Sequence, residues 1–225
     1  YRNGVHMSRE IKILCVGDVV GSQGCDFLRK TLSDYKRKHN IDICIVNGEN
    51  SAVGNGMLPN SCNHIFTSGA DFITGGNHSL KRREIFDYLD NNENVIRPAN
   101  FGDGVWGKGW GIIDKGAYRV GVINLLGRVW LEGHADPFET AEKIIDILKK
   151  ETNIILPLTY TMEKFLKAVI IYYGWTTYKD NRKEKKTKNC LNTRHYCLHT
   201  CNTCKLLELL SNFSIVIGYN VNIQN

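Results

Sequence analysis

The chain has 225 residues, of which 42% are hydrophobic and 23% charged, and it carries a formal charge of +6. This length holds one sizeable domain or two small ones. The composition is ordinary for a globular protein and excludes a fibrous or wholly disordered chain. No apolar run reaches the ~18 residues that a membrane span needs, and Tyr1 to Glu10 lack the apolar core of a secretory signal.

Tyr1 to His6 precede Met7 and read as sequence upstream of a natural start, so residues 1–10 are treated as an N-terminal extension. With no secretory signal, a reducing cytoplasm is expected, and the eight cysteines are not read as disulfides. Cys15 and Cys44 fall inside apolar runs, where a thiol behaves as a small hydrophobe.

In chain order, Ile11 to Val16 is an apolar run, with Lys12 its one polar member, and predicts a buried strand. Cys25 to His39 predicts a helix, with Phe27, Leu28, Leu32 and Tyr35 at helical spacing. Ile41 to Val46 predicts a second strand. Asn60 to Ser68 predicts a helix with Pro59 as its start signal. Asp71 to Thr74 predicts a short strand, Leu80 to Leu89 a helix, and Asn94 to Ile96 a strand ended by Pro98. Gly102 to Gly111 is rich in Gly and Trp and reads as loop. Gly111 to Ile113 and Tyr118 to Leu125 look like paired strands of a second sheet. Asp136 to Lys150 predicts a helix, with Asp136 as cap and Pro137 at the first helical position. A further strand begins at Asn153. Strand–helix alternation followed by a strand-rich region predicts an α/β fold in which a mostly parallel sheet joins a second sheet.

Four apolar runs end in polar residues: Gly17-Asp18, Gly48-Glu49-Asn50, Gly76-Asn77-His78 and Arg97-Pro98-Ala99-Asn100. In an open α/β sheet, ligands and metals bind where strands release the chain at their carboxyl ends. Carboxylates and amides are hard oxygen donors suited to a divalent cation. Asp18 is read either as a metal ligand or as the cap of the following helix. Glu49 and Asn50 are read either as ligands, with Glu49 able to bridge two cations, or as an exposed turn. Asn77 can ligate, and His78 beside it is suited to give a proton to a leaving oxygen. Gly54-Asn55-Gly56 makes a loop flexible enough to wrap a site.

Gly17-Asp18-Val19-Val20-Gly21, Asn47-Gly48-Glu49-Asn50, Gly76-Asn77-His78, Arg97-Pro98-Ala99-Asn100, Val122-Ile123-Asn124-Leu125 and Asp136-Pro137-Phe138 occur in this order. Over Ile11 to about Ile155 they resemble the calcineurin-like metallophosphoesterases, most of all the bacterial YmdB-like branch. The resemblance implies a two-sheet α/β sandwich of the metallophosphoesterase type and a dinuclear centre, usually of iron or manganese. It implies hydrolysis of phosphodiesters, with a small cyclic nucleotide such as 2′,3′-cyclic AMP as substrate. By the same resemblance Asp18 and Asn50 hold one metal, Asn77 holds the other, Glu49 bridges, and His78 is the general acid. No membrane partner is implied, and a homo-oligomer is compatible with it.

The pattern stops after about Ile155, so 11–155 is taken as the family-like domain and 156–225 as a divergent or incomplete tail. The family supplies further histidine ligands from its second half. Here the strand exit reads Ile155-Leu156-Pro157-Leu158-Thr159-Tyr160, and the tail offers only His195 and His199. A shifted reading frame in a family gene produces such an abrupt loss. Two other readings stay open: His195 and His199 as replacement ligands, and a catalytically inactive relative that binds metal or nucleotide only. Cys190, Cys197, Cys201 and Cys204 with the two histidines could bind zinc, since Cys201 and Cys204 have the local spacing. The basic run Lys179 to Lys188 is either a solvated loop or a nucleic-acid contact. Leu206, Leu207, Leu209 and Leu210 suggest one helix.

Overall fold

The protein is described by a computed structural model covering residues 9–128, 131, 133–160 and 216–223. Two sheets lie at its centre. In chain order the elements begin with β1 (Arg9–Val16), α1 (Gly21–His39), β2 (Ile43–Asn47), α2 (Pro59–Thr67) and β3 (Phe72–Thr74). They continue with α3 (Phe86–Asn91), β4 (Val95–Ile96), β5 (Trp110–Asp114), β6 (Arg119–Leu126), α4 (Pro137–Leu148), β7 (Ile154–Tyr160) and β8 (Val216–Ile223). The first sheet has the order β4-β3-β2-β1-β8 and the second β5-β6-β7. β1 to β4 run parallel, and β8 joins β1 antiparallel.

The apolar runs explain this layering. A strand covered on both faces is nearly continuously apolar, and all five residues of β2 are buried, with Asn47 at its end the one polar member. Successive side chains point to opposite faces. Leu14 and Val16 of β1, with Cys44 and Val46 of β2, pack against Leu28, Leu32 and Ile65 from α1 and α2. Ile11, Ile13, Ile43 and Ile45 point the other way, onto Val120, Val122, Leu156 and Leu158 of the second sheet. The outer face of that sheet is closed by Ile144, Ile145 and Leu148 of α4. The result is the expected two-sheet α/β sandwich, with each fully buried Ile or Leu contributing about 1.5–3 kcal/mol. Among the described residues no helix is long and apolar enough to cross a membrane.

Two of the expected helices differ from expectation, and β8 was not expected. α1 begins at Gly21, four residues before the predicted Cys25, because Ser22, Gln23 and Gly24 carry no apolar side chain for periodicity to register. Its buried stripe is Cys25, Leu28 and Leu32, and its last turn holds Lys36, Arg37, Lys38 and His39. These basic groups complement the negative end of the helix dipole. The predicted helix Leu80–Leu89 is instead a 3₁₀ turn at Arg83–Ile85 leading into α3. Arg82 is extended, with φ −110° and ψ 124°, and its guanidinium is drawn to the carbonyl oxygens of Val53 and Asn55. Contacts made by the loops override the hydrophobic periodicity there.

β7 runs on to Tyr160 through Pro157, parallel to β6. Proline has no N–H to give a ladder, and β7 is the outermost described strand of its sheet.

Candidate active site

The polar stretches leave the carboxyl ends of β1 to β4, and backbone hydrogen bonds lace the first exits together. Val19 N–H donates to Asn47 O at 2.9 Å, and Gly21 N–H donates to Asn50 O at 2.9 Å. Asp18 is not a helix cap, since the N-cap position of α1 is Val20 and carries no side-chain cap. Instead Asp18 Oδ2 accepts from Asn50 Nδ2 at 2.7 Å. That bond fixes which end of the Asn50 amide is oxygen.

Glu49 and Asn50 do not form an exposed turn. Glu49 is 0% exposed and Asn50 9%. Asn47 shapes the exit by accepting the Glu49 N–H on its own Oδ1 at 2.9 Å. A buried carboxylate is tolerated only where donors or cations meet it. The His78 N–H donates to Glu49 Oε1 at 2.7 Å.

That contact depends on Gly76. A Cβ there would lie 2.1 Å from Glu49 Oε2, so only glycine lets the β3 exit pass this close to the carboxylate. Ser79 Oγ donates to Gly76 O at 2.7 Å and closes the turn that carries Asn77 and His78.

His78 turns towards the second exit. Its Nδ1 lies 3.0 Å from Asn50 Oδ1 and 3.4 Å from Glu49 Oε1. Asn50 Oδ1 can only accept, so the Nδ1 proton points at it and Nε2 is left as the reactive nitrogen. The His78 side chain is 33% exposed. Partial burial, and then the charge of Lys81, push its imidazole below the ordinary value, with Asp18 pulling the other way.

The fourth stretch behaves differently from the other three. The Arg97 guanidinium donates to Pro98 O at 2.8 Å and to Val105 O and Trp106 O at 3.3 Å. Asn100 Nδ2 donates to Leu126 O at 2.8 Å and Ala135 O at 3.1 Å, while its Oδ1 accepts the Leu126 N–H at 2.8 Å. Both side chains are spent on backbone, so Arg97 and Asn100 are scaffold rather than ligands.

Asn124 has a part that residue-level reasoning missed. From the middle of β6 its Nδ2 donates to Gly75 O at 2.9 Å, tying the second sheet to the β3 exit. The available signal was an amide inside an apolar strand, at a position only 2% exposed.

The structure thus brings Asp18, Glu49, Asn50 and His78 into direct contact and places Asn77 on the same turn as His78. Asp18 Oδ1, Glu49 Oε2 and Asn77 Oδ1 are buried, and Asn77 Oδ1 makes no hydrogen bond among the described residues. Two carboxylates and two amides fit a hard divalent cation chemically, and the Asn77 oxygen is an acceptor that such an ion would satisfy. The set is partial, because no three His, Cys, Asp or Glu side chains converge into a metal cage among the described residues. His195, His199, the tail cysteines Cys190, Cys197, Cys201 and Cys204, the basic run 179–188 and the Leu206–Leu210 segment lie outside the described residues.

Comparison with known proteins identifies the family. The model of the YmdB-like protein family matches residues 14–165. A 2′,3′-cyclic-nucleotide 2′-phosphodiesterase of Bacillus subtilis (strain 168) is 41% identical over 145 residues, 64% of this chain and 55% of that protein. Among solved structures, a phosphatase from Mycoplasma pneumoniae superposes with a TM-score of 0.62 at 27% identity, covering 69% of this chain and 57% of the other. A hypothetical protein from Thermus thermophilus also gives 0.62, at 26% identity, covering 67% and 58%. The chain spans about half the length of the curated relatives it matches. It belongs to the YmdB-like family.

Proposed function

We propose that this YmdB-like chain hydrolyses phosphodiester bonds at the Asp18–Glu49–Asn50–Asn77–His78 cluster. Its proposed substrate is a small cyclic nucleotide such as 2′,3′-cyclic AMP, and its proposed cofactors are two divalent ions, iron or manganese. The observation that carries this reading is Glu49, a fully buried carboxylate at a strand exit with Gly76 cleared of side chain to admit it. The 41% identity to a cyclic-nucleotide phosphodiesterase supports the substrate class.

Asp18 and Asn50 would hold one cation, Asn77 the other, with Glu49 between them. Cations bound there supply an activated water at neutral pH and neutralise phosphate charge. The chain's own residues do the rest. The Asp18–Asn50 bond orients both donors before any ligand arrives, which removes an ordering cost from binding. His78 is steered by Asn50 through Nδ1–H, which leaves Nε2 facing outward, and it is the doubly protonated imidazolium that would give a proton from Nε2 to the leaving oxygen. Burial of Glu49 keeps bulk water from screening the charges.

A second reading, that of a relative which binds metal or nucleotide without turnover, is motivated by the strand exit Ile155-Leu156-Pro157-Leu158-Thr159-Tyr160, which carries no histidine. Metal analysis of the purified full chain combined with bis-p-nitrophenyl phosphate turnover decides between them. Two equivalents of iron or manganese with turnover support the phosphodiesterase. Metal or nucleotide binding with no turnover supports the second reading.

A further inference from the structure

Between Asn50 and α2 the chain makes a tight loop beside the site. Ala52 N–H donates to Gly56 O at 3.0 Å and closes it. Gly54, Asn55 and Gly56 all take positive φ, at 78°, 70° and 85°. Arg82 clamps it from the other side, Nε to Asn55 O at 3.1 Å and a terminal nitrogen to Val53 O at 2.5 Å. This clamp presents Val53 outward, 76% exposed, on a loop whose Val53, Asn55 and Gly56 carbonyls accept hydrogen bonds.

Lys81 stands next to it. Its N–H donates to His78 O at 3.0 Å, and a Cβ on Gly56 would lie 3.3 Å from Lys81 Cβ. Lys81 is exposed. Of the nearby arginines, Arg82 is occupied by the loop, and Arg97 is occupied by the carbonyl oxygens of Pro98, Val105 and Trp106. The Lys81 ammonium has no ion pair among the described residues, and its field reaches His78. The clamped loop that carries Val53 thus abuts, at Gly56, both Lys81 and the turn of His78.

A nucleotide has the complementary pair of features, an anionic phosphate and an apolar base. Resting on the phosphodiesterase reading, we propose that Lys81 anchors the substrate phosphate and Val53 packs against its base. This makes the Arg82-clamped loop the specificity-determining rim of the site. A cation at the mouth of a cleft also raises the local concentration of an anionic ligand.

Calorimetric titration of the full chain with 3′-AMP and with inorganic phosphate, at low and at high salt, tests this. Lys81→Gln should weaken both ligands about two- to five-fold at low salt, the size of one exposed ion pair. That difference should close at high salt. Val53→Ser should weaken 3′-AMP and leave phosphate unchanged. Wild-type affinity for 3′-AMP in the Lys81→Gln protein at low salt, or no measurable binding of 3′-AMP by the wild type, overturns the proposal. So does a Val53→Ser protein that binds 3′-AMP as the wild type does. Lys81-dependent binding without any bis-p-nitrophenyl phosphate turnover supports the rim and overturns only the phosphodiesterase reading. Turnover with unchanged Lys81→Gln affinities does the reverse.

Discussion

Asn124 on β6 donates its side-chain N–H to the carbonyl oxygen of Gly75, across the seam between the two sheets, at 2.9 Å. The bond holds the β3 exit from the opposite side to Glu49, which accepts the His78 N–H at 2.7 Å. The turn carrying Asn77 and His78 is thus held from both sheets.

Truncating Asn124 to Ala strands a buried carbonyl. A buried acceptor left without its partner costs about 1–3 kcal/mol. Thermal or urea denaturation of Asn124→Ala should show that loss with an unchanged m-value. A stability equal to the wild type would mean that water or a relaxed backbone satisfies Gly75 as well as the amide does.

Gly76→Ala acts on the site more directly. The added methyl would meet Glu49 Oε2 at 2.1 Å, so the carboxylate or the turn must move. A misplacement of this size near reacting groups costs on the order of 10²-fold in rate. Turnover of bis-p-nitrophenyl phosphate by Gly76→Ala should fall by about that factor, with metal content reduced as well. Full activity would show that Glu49 is not where the chemistry needs it.

His78→Ala separates proton transfer from metal binding. Positioned general acids contribute about 10²–10⁴-fold, so kcat should drop within that range while metal content stays at the wild-type level. Loss of metal in this variant would make His78 a ligand and remove its role as the proton carrier.

Asp71 sets an acid-side dependence of stability. Its Oδ2 accepts from Lys36 at 2.9 Å and from the Cys44 N–H at 2.7 Å, and its Oδ1 accepts from Lys115 at 2.7 Å. Burial opposes the charge, yet Lys115, Lys36 and the Cys44 N–H together hold the carboxyl below its ordinary value of 3.8. A depressed folded-state pKa contributes stability that is complete above the ordinary value and is lost as pH falls through the folded one. Asp71→Asn should therefore be less stable than the wild type by about 1–3 kcal/mol at pH 7. The two denaturation curves should converge as the pH is taken well below 3.8. A gap that stays constant with pH would assign the effect to packing rather than to charge.

Much of the layering was legible in the chain. The apolar runs at 13–16 and 43–46 mark strands buried on both faces, because a strand with one wet face would alternate. Asp18, Glu49, Asn50, Asn77 and His78 were legible for the same reason, as polar groups stranded at the ends of such runs. The start of α1 was not, since Ser22 to Gly24 bury nothing. Nor was the broken helix at Leu80–Leu89, where one continuous helix is expected and Arg82 is drawn to another loop.

Sequence by itself determined which residues are candidates and the order in which they leave the sheet, because burial pattern and strand ends are local properties. Tertiary structure decided among their alternatives. Only contact across chain distance could free Asp18 from a capping role, bury Glu49 beneath Gly76, spend Arg97 and Asn100 on backbone carbonyls, and recruit Asn124 from the second sheet. Those outcomes rest on hydrogen bonds and close approaches between segments up to 49 residues apart, and no local pattern encodes them.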